Sequence, residues 1–340
     1  MWLWQENPNL LHGIRAVGRS PVGKSRAFSQ GFLLAQAKQY LAAGKGQPPF
    51  DVTVHAVPID EIVNGGPPKD GIPALNHPKF VSASDGDRFL KGHDRVLGIE
   101  YNGIAKAYPI RILNWHEVVN DDFNGKPVVV TWCPLCLSGI VYNPENDGGR
   151  LTFGVSGKIY KSNLLMYDRE TGSLWSQILQ CAITGPLTGS VLAMLPAEHS
   201  TWQRWRTLHP NTVVLSLGTG YKRDYGLDPY REYVEEGKPT FRDSEDRKSS
   251  RTRENIGWME PVLGVEVDGA QKAYPFSALK KRPSEFGDRM GKKRLRIHFD
   301  RESKTAWVTN ESGDVVPSAT VYWFAWQDFH QQTEVVENNR

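Results

Sequence analysis

VLGIEYNGIAKAYPIRIL (96–113) and VLGVEVDGAQKAYPFSAL (262–279) are two versions of one pattern, identical at 10 of 18 positions. Each is a pair of β-type runs around a dipeptide, Asn102-Gly103 or Asp268-Gly269, that accepts the positive φ of a type I′ hairpin turn. A second echo follows the first. TWQRWRTLHPNTVVL (201–215) aligns with YWFAWQDFHQQTEVV (322–336), so that Trp202, Trp205, His209 and Thr212 meet Trp323, Trp326, His330 and Thr333. The order is kept, which identifies an internal duplication. The first echo has an offset of 166 residues and the second 121; by that difference the second copy is 45 residues shorter.

The strand-like KPVVVTWC (126–133) still stands opposite KRLRIHFD (293–300) at an offset of 167, so the missing residues fall between Cys133 and Trp202. The extra segment of copy one is expected to contain Cys133 and Cys136, or to begin at them, and to run on through LTFGVSGKIYKSNLLMYDRETGSLWSQ (151–177). Copy two places Asp300 near Cys133 and has no cysteine. A pair that the repeat does not need for folding is marked for chemistry.

These features predict a predominantly β protein, classed as a β-rich α+β fold. Two related hairpin-based halves are expected, the first with an extra segment of about 45 residues carrying a Cys-Pro-Leu-Cys turn. The expected divisions are an N-terminal extension at 1–48, a first repeat unit at 49–235, a polar linker or loop at 236–257 and a shorter repeat unit at 258–340. In the extension, Phe28, Phe32, Leu33, Ala37, Tyr40 and Leu41 recur at helical spacing, predicting a helix from Ser25 to Ala43 that stops at Gly44.

Composition removes several function classes. The 340 residues include 41 basic and 38 acidic side chains, a formal charge of +3. That balance argues against nucleic acid as a partner. No apolar run is long enough for a spanning helix. No glycine-rich phosphate cradle is present, so no nucleotide cofactor is expected, and serine-hydrolase signatures are missing too. The start lacks a basic segment followed by an apolar one. As written, the chain is expected in the cytoplasm, or in the periplasm if its start has been trimmed. With three cysteines, a disulfide scaffold is excluded.

Trp-Cys-Pro-Leu-Cys admits two mechanisms. In a thioredoxin-like site the first Cys opens a helix whose N-terminus stabilises the thiolate. The residues after Cys136 include Ile140-Val141-Tyr142, Pro144 and a Gly-rich turn, and do not read as helix. The other mechanism is a knuckle, a tight turn between two strands with both sulfurs to one side, supplying soft ligands to Zn, Cu or Fe. Cys181 is the one other thiol, so imidazole must complete such a site or it stays open. His116, in Asn114-Trp115-His116-Glu117, is the candidate third ligand, because copy two carries Lys280-Lys281 in that region and no His. Glu117 is the candidate base or outer partner. His209 is weaker, since His330 matches it in the copy without cysteines.

Ser156, Asp168, Arg169 and Tyr221 are candidate substrate-binding residues. The first three are polar positions within the extra segment, and Tyr221 lies in TGYKRDYGLDPY (219–230), a loop of recognition type that could instead cap the sheet. An ordinary hairpin turn around Asp168–Gly172 is the competing reading of that region.

AKAYPIRILNWHEVVND, VVVTWCPLC, FGVSGKIYKSNLLMYDRETGSLWSQ and TGYKRDYGLDPY together resemble the prokaryotic family catalogued as domain of unknown function 3179, over roughly residues 50–336. The resemblance implies no settled activity. It implies an exported or lipid-anchored protein, for which this chain shows no signal. It also implies Gly after the second Cys, where Leu137 stands here.

Three functions follow from the residues. The leading one is a metal-binding, redox or catalytic protein with Cys133, Cys136 and His116 as ligands. The second is a metal-free thiol–disulfide oxidoreductase acting on a small-molecule or protein thiol through the same pair. The third is a non-enzymatic binding module.

Overall fold

A computed structural model describes residues 39–146, 148–239 and 256–337. Most of the helix expected at 25–43 lies outside these residues. Of its end, Tyr40–Leu41 is instead a short strand paired with Phe50–Asp51, because the backbone there finds its partners across a loop rather than along a turn. Of the expected linker at 236–257, residues 240–255 also lie outside the described residues.

Strands make up 44% and helices 13%, and five sheets are arranged like a five-bladed β-propeller. None of the described helices exceeds seven residues. They connect strands and form no layer, so the chain is a β protein and the α+β label was too mixed.

The duplication holds at the level of strand register. In blade 1, Glu198–Thr201 pairs with Arg95–Tyr101, which pairs with Ile104–Pro109, then Val213–Leu215 in parallel and Phe80–Ser82. Blade 4 repeats this order with Ala319–Tyr322, Pro261–Val267, Ala270–Pro275 and Glu334–Val335. Gly98 faces Glu198 as Gly264 faces Ala319. The turn residues Asn102 (φ 49°) and Asp268 (φ 51°) are both left-handed, as a type I′ turn requires. Blade 2 (Ala193–Leu195, Ser138–Asn143, Lys126–Cys133, Val118–Phe123, Leu75–Asn76) is repeated by blade 5 (Val315–Val316, Thr305–Asn310, Lys293–Asp300, Glu285–Met290).

Blade 3 is the extra segment: Cys181–Thr184, Leu174–Ser176, Asn163–Asp168 and Phe153–Tyr160, with Ile62–Asn64 at its edge. It therefore begins after Asn143. The expectation that the insertion holds the two cysteines or starts at them is corrected, because the strand following them, Ser138–Asn143, has its counterpart in Thr305–Asn310.

Invariant contacts of the two copies show what holds the frame. Lys106 Nζ lies 2.8 Å from Asp121 Oδ2, and Lys272 Nζ 2.9 Å from Asp288 Oδ2, each pair joining one blade to the next. Trp205 and Trp326 lie so close over Gly98 and Gly264 that a Cβ there would meet each ring at 2.2 Å. The copies meet through equivalent strands: Ser138–Asn143 touches Ala319–Tyr322, and Thr305–Asn310 touches Glu198–Thr201. One core cluster draws on Val129 and Ile140 of copy one, Phe153 and Trp175 of blade 3, and Val262, Val321 and Trp323 of copy two.

Candidate functional site

The hairpin Lys126–Cys133/Ser138–Asn143 is closed by Pro134-Leu135-Cys136-Leu137. Cys133 pairs with Ser138, the Cys136 N–H donates to the Cys133 carbonyl at 3.1 Å, and Leu137 adopts φ 57°. Blade 5 closes its turn in the same shape: Asp300 pairs with Thr305 and Lys304 has φ 49°. Asp300 and Ser303 stand where the cysteines stand. There the Asp300 carboxylate accepts the N–H groups of Glu302 (2.9 Å) and Ser303 (3.1 Å). The turn belongs to the fold; the sulfurs are particular to copy one. A strand, not a helix, follows Cys136, so no helix N-terminus stabilises a thiolate.

Cys133 is 1% exposed and Cys136 fully buried. Cys136 Sγ donates to the Ser162 carbonyl at 3.1 Å. Ser162 is at the tip of the blade 3 hairpin, in the left-handed region at φ 62°, and its buried hydroxyl has no partner among the described residues. From blade 4, the Tyr322 N–H donates to the Cys136 carbonyl at 2.8 Å. Blades 2, 3 and 4 therefore meet at Cys136. Burial, and then the hydrogen bond with the Cys133 thiol, pushes the Cys136 thiol well above its ordinary pKa.

Glu117 ends the helix Ile110–His116 with φ 56°, a strained conformation for a non-glycine residue. Its carbonyl accepts the Trp132 N–H at 2.7 Å, as Ser284 accepts from Phe299 in copy two. The buried side chain accepts a 3.0 Å hydrogen bond from Tyr230 Oη, and burial raises its pKa to about 7. Burial, and then the Glu117 carboxylate beside it, raises the Tyr230 hydroxyl above its ordinary pKa.

A strap of copy one, residues 219–233, lies across the site. Tyr225 Oη meets His116 Nε2 at 2.7 Å, Asn114 Nδ2 donates to Asp228 Oδ1 at 2.9 Å, and Trp115 Nε1 donates to the Leu227 carbonyl at 3.2 Å. Tyr233 Oη donates to the Leu135 carbonyl, inside the Cys-Pro-Leu-Cys turn, at 2.9 Å. Tyr221 is 44% exposed with its ring 5.3 Å from that of His116.

A family model described as "Protein of unknown function (DUF3179)" matches residues 69–333. The chain belongs to this family. No curated protein and no solved structure matches it. The matched span takes in the cysteine turn, Glu117, the strap and every blade strand except Ile62–Asn64 and Glu334–Val335.

Cys133 and Cys136 share one turn, Glu117 is joined through its carbonyl to the neighbouring Trp132, and His116 lies against Tyr221 and Tyr225 of the strap. His116 does not join the sulfurs as a ligand. Its Nδ1 faces the Pro73 carbonyl at 2.7 Å and its Nε2 faces Tyr225 Oη, so both nitrogens are engaged. Among the described residues, no group of three or more His, Cys, Asp or Glu side chains is placed to hold a metal ion.

The three other candidate substrate residues, Ser156, Asp168 and Arg169, lie in blade 3 and its hairpin turn. Asp168 accepts from the Thr171 N–H (2.6 Å) and Trp175 Nε1 (2.8 Å), which is the ordinary hairpin turn. Arg169 Nη2 pairs with Asp70 Oδ1 at 2.8 Å. Ser156 donates to the Leu165 carbonyl at the bulge between Val155 and Lys158.

Sequence reasoning missed Tyr230 and Tyr233 as site residues, although their aromatic spacing after an Asp-Pro pair is visible. It also missed a buried network in which Gln177 Oε1 accepts from Ser138 Oγ (2.7 Å) and Asn163 Nδ2 (2.9 Å), bracing the Cys136 turn against blade 3.

Proposed function

We propose that the chain binds one soft metal ion between the sulfurs of Cys133 and Cys136, and that copper(I) is the ion the donor set suits. The observation that carries this reading is the pair of buried thiols in one strand–turn–strand hairpin whose duplicate has Asp300 and Ser303. Thiolate donors select soft ions. Structural zinc sites ask for four protein ligands, and no third side chain completes such a set among the described residues. Copper(I) is content with two sulfurs, so the Zn and Fe alternatives lose ground to it. When bound, the ion would supply a soft, thiolate-held centre for storage, transfer or one-electron chemistry.

The chain's own residues have definite parts. Both thiols must lose their protons on binding. Glu117, a buried carboxyl held by Tyr230, would take one of them. Ser162 and Tyr322 fix the Cys136 side of the turn, and Tyr233 fixes Leu135.

A second reading is thiol–disulfide exchange, favoured by the closeness of the two thiols within one turn. The Cys133 thiolate would attack a substrate disulfide, releasing one thiol. Cys136 would then attack Cys133 Sγ, releasing the second and leaving the Cys133–Cys136 disulfide. The experiment is an anaerobic titration of reduced protein with copper(I) against a competing chelator. One equivalent bound, and lost in Cys133→Ser and in Cys136→Ser, is expected. No bound copper, with two thiols that oxidise and re-reduce, would move the assignment to exchange.

A further inference from the structure

The two seams between the copies each carry a cleft, and the clefts correspond residue by residue. Gly98, Glu100, Trp205, His209 and Trp307 line the one between blades 1 and 5. Gly264, Glu266, Trp326, His330 and Ile140 line the one between blades 2 and 4. The duplicated frame therefore supplies an internal comparison.

In the first cleft the Glu–His pair is closed, with His209 Nδ1 3.5 Å from Glu100 Oε2. In the second it is open. Glu266 accepts a 3.4 Å contact from Gln271 Nε2, while His330 Nδ1 has no partner among the described residues. His330 is only 5% exposed. A buried polar atom without a partner carries a standing desolvation cost, which a ligand group can relieve. Ile140 stands in place of Trp307, and the cavity measures about 230 Å³, against about 630 Å³ for the first cleft.

The charge in this cleft has one sign. Glu266 and Asp268 line it, and no Lys or Arg does among the described residues; Lys293 meets Asp268 at 3.1 Å. Ile140, Ile178, Met194 and Val321 give it apolar walls, and Gln180 and Ser318 add neutral polar groups. Burial holds the His330 ring neutral, with a pKa of about 3. A neutral ring protonated on Nε2 presents Nδ1 as an acceptor.

We propose that the cleft between blades 2 and 4 binds a small primary amine, with its ammonium group between the Glu266 carboxylate and His330 Nδ1 and its alkyl chain against Ile140, Ile178 and Met194. An ammonium has three donors, enough to serve both acceptors at once. This site is separate from the cysteine pair and does not depend on the metal reading.

The test is calorimetric titration of the full chain with n-hexylamine, n-hexanol and hexanoate. Saturable binding of the amine is expected, with the alcohol and the acid weaker by about tenfold or more. Glu266→Gln should weaken the amine by about tenfold, since it removes the charge and keeps the shape. Ile140→Trp, which installs the residue of the other seam, should abolish binding. If that variant does not fold, Glu266→Gln decides alone. Absence of amine binding, equal binding of amine and alcohol, or unchanged affinity in Glu266→Gln overturns the proposal.

Discussion

Cys136 occupies the position of Ser303, and Glu117 that of Ser284, so the second copy is a natural control for substitutions in the first. Cys136→Ser should leave the fold intact and move the melting temperature by only a few degrees, measured by circular dichroism, while copper(I) binding is lost. Glu117 makes a pH-dependent prediction. Its carboxyl titrates near 7 in the folded chain, against 4.5 ordinarily. A raised pKa means the folded state holds the proton more tightly. The resulting stabilisation, on the order of 3 kcal/mol, is fully present below about pH 4.5 and lost as pH rises through about 7. Glu117→Gln should flatten denaturant-measured stability across that window; an unchanged slope would contradict the assignment. At this scale the cysteine pair stood out because a duplicated sequence exposes what differs between copies, whereas Glu117 was read only as the neighbour of His116. The part played by His116 was not, because its partners, Pro73 and Tyr225, lie 43 and 109 residues away.

Elements differ in how far they are set by local chemistry. The Asn102-Gly103 and Asp268-Gly269 hairpins were readable because a type I′ turn is decided by its own two residues. The Cys-Pro-Leu-Cys turn was readable as a knuckle, since β-type residues flank it on both sides. The strap was not readable, because each of its anchors is a contact distant in sequence. Tyr230→Phe and Tyr233→Phe together remove two of those anchors, and should speed alkylation of Cys133 and Cys136 by a thiol reagent without unfolding the chain. Rates equal to those of the unaltered protein would show that the strap does not guard the thiols. The helices that follow Thr201 and Tyr322 each press a Trp onto a glycine. Gly98→Ala and Gly264→Ala should each destabilise by about 1–3 kcal/mol in chemical denaturation, the range for forcing an extra methyl into a packed site.

For the whole molecule, the offsets located an extra segment but did not reveal it as a blade. Its edge strand, Ile62–Asn64, comes from far upstream, as do Leu75–Asn76 of blade 2 and Phe80–Ser82 of blade 1. No periodicity in 151–177 could announce a strand borrowed from residues 62–64. The expected division into two units also takes a different meaning, since one core cluster draws on both copies and on blade 3. Calorimetry should show a single unfolding transition with matching calorimetric and van't Hoff enthalpies. Two resolved transitions would mean that the copies fold separately.

The proposed site draws two sulfur donors from residues peculiar to copy one and leaves His116 outside. X-ray absorption at the copper edge, on protein loaded with one equivalent of copper(I), counts those donors. Two sulfur neighbours and no imidazole nitrogen are expected. An imidazole bound to the copper, or fewer than two sulfurs, would rule the site out.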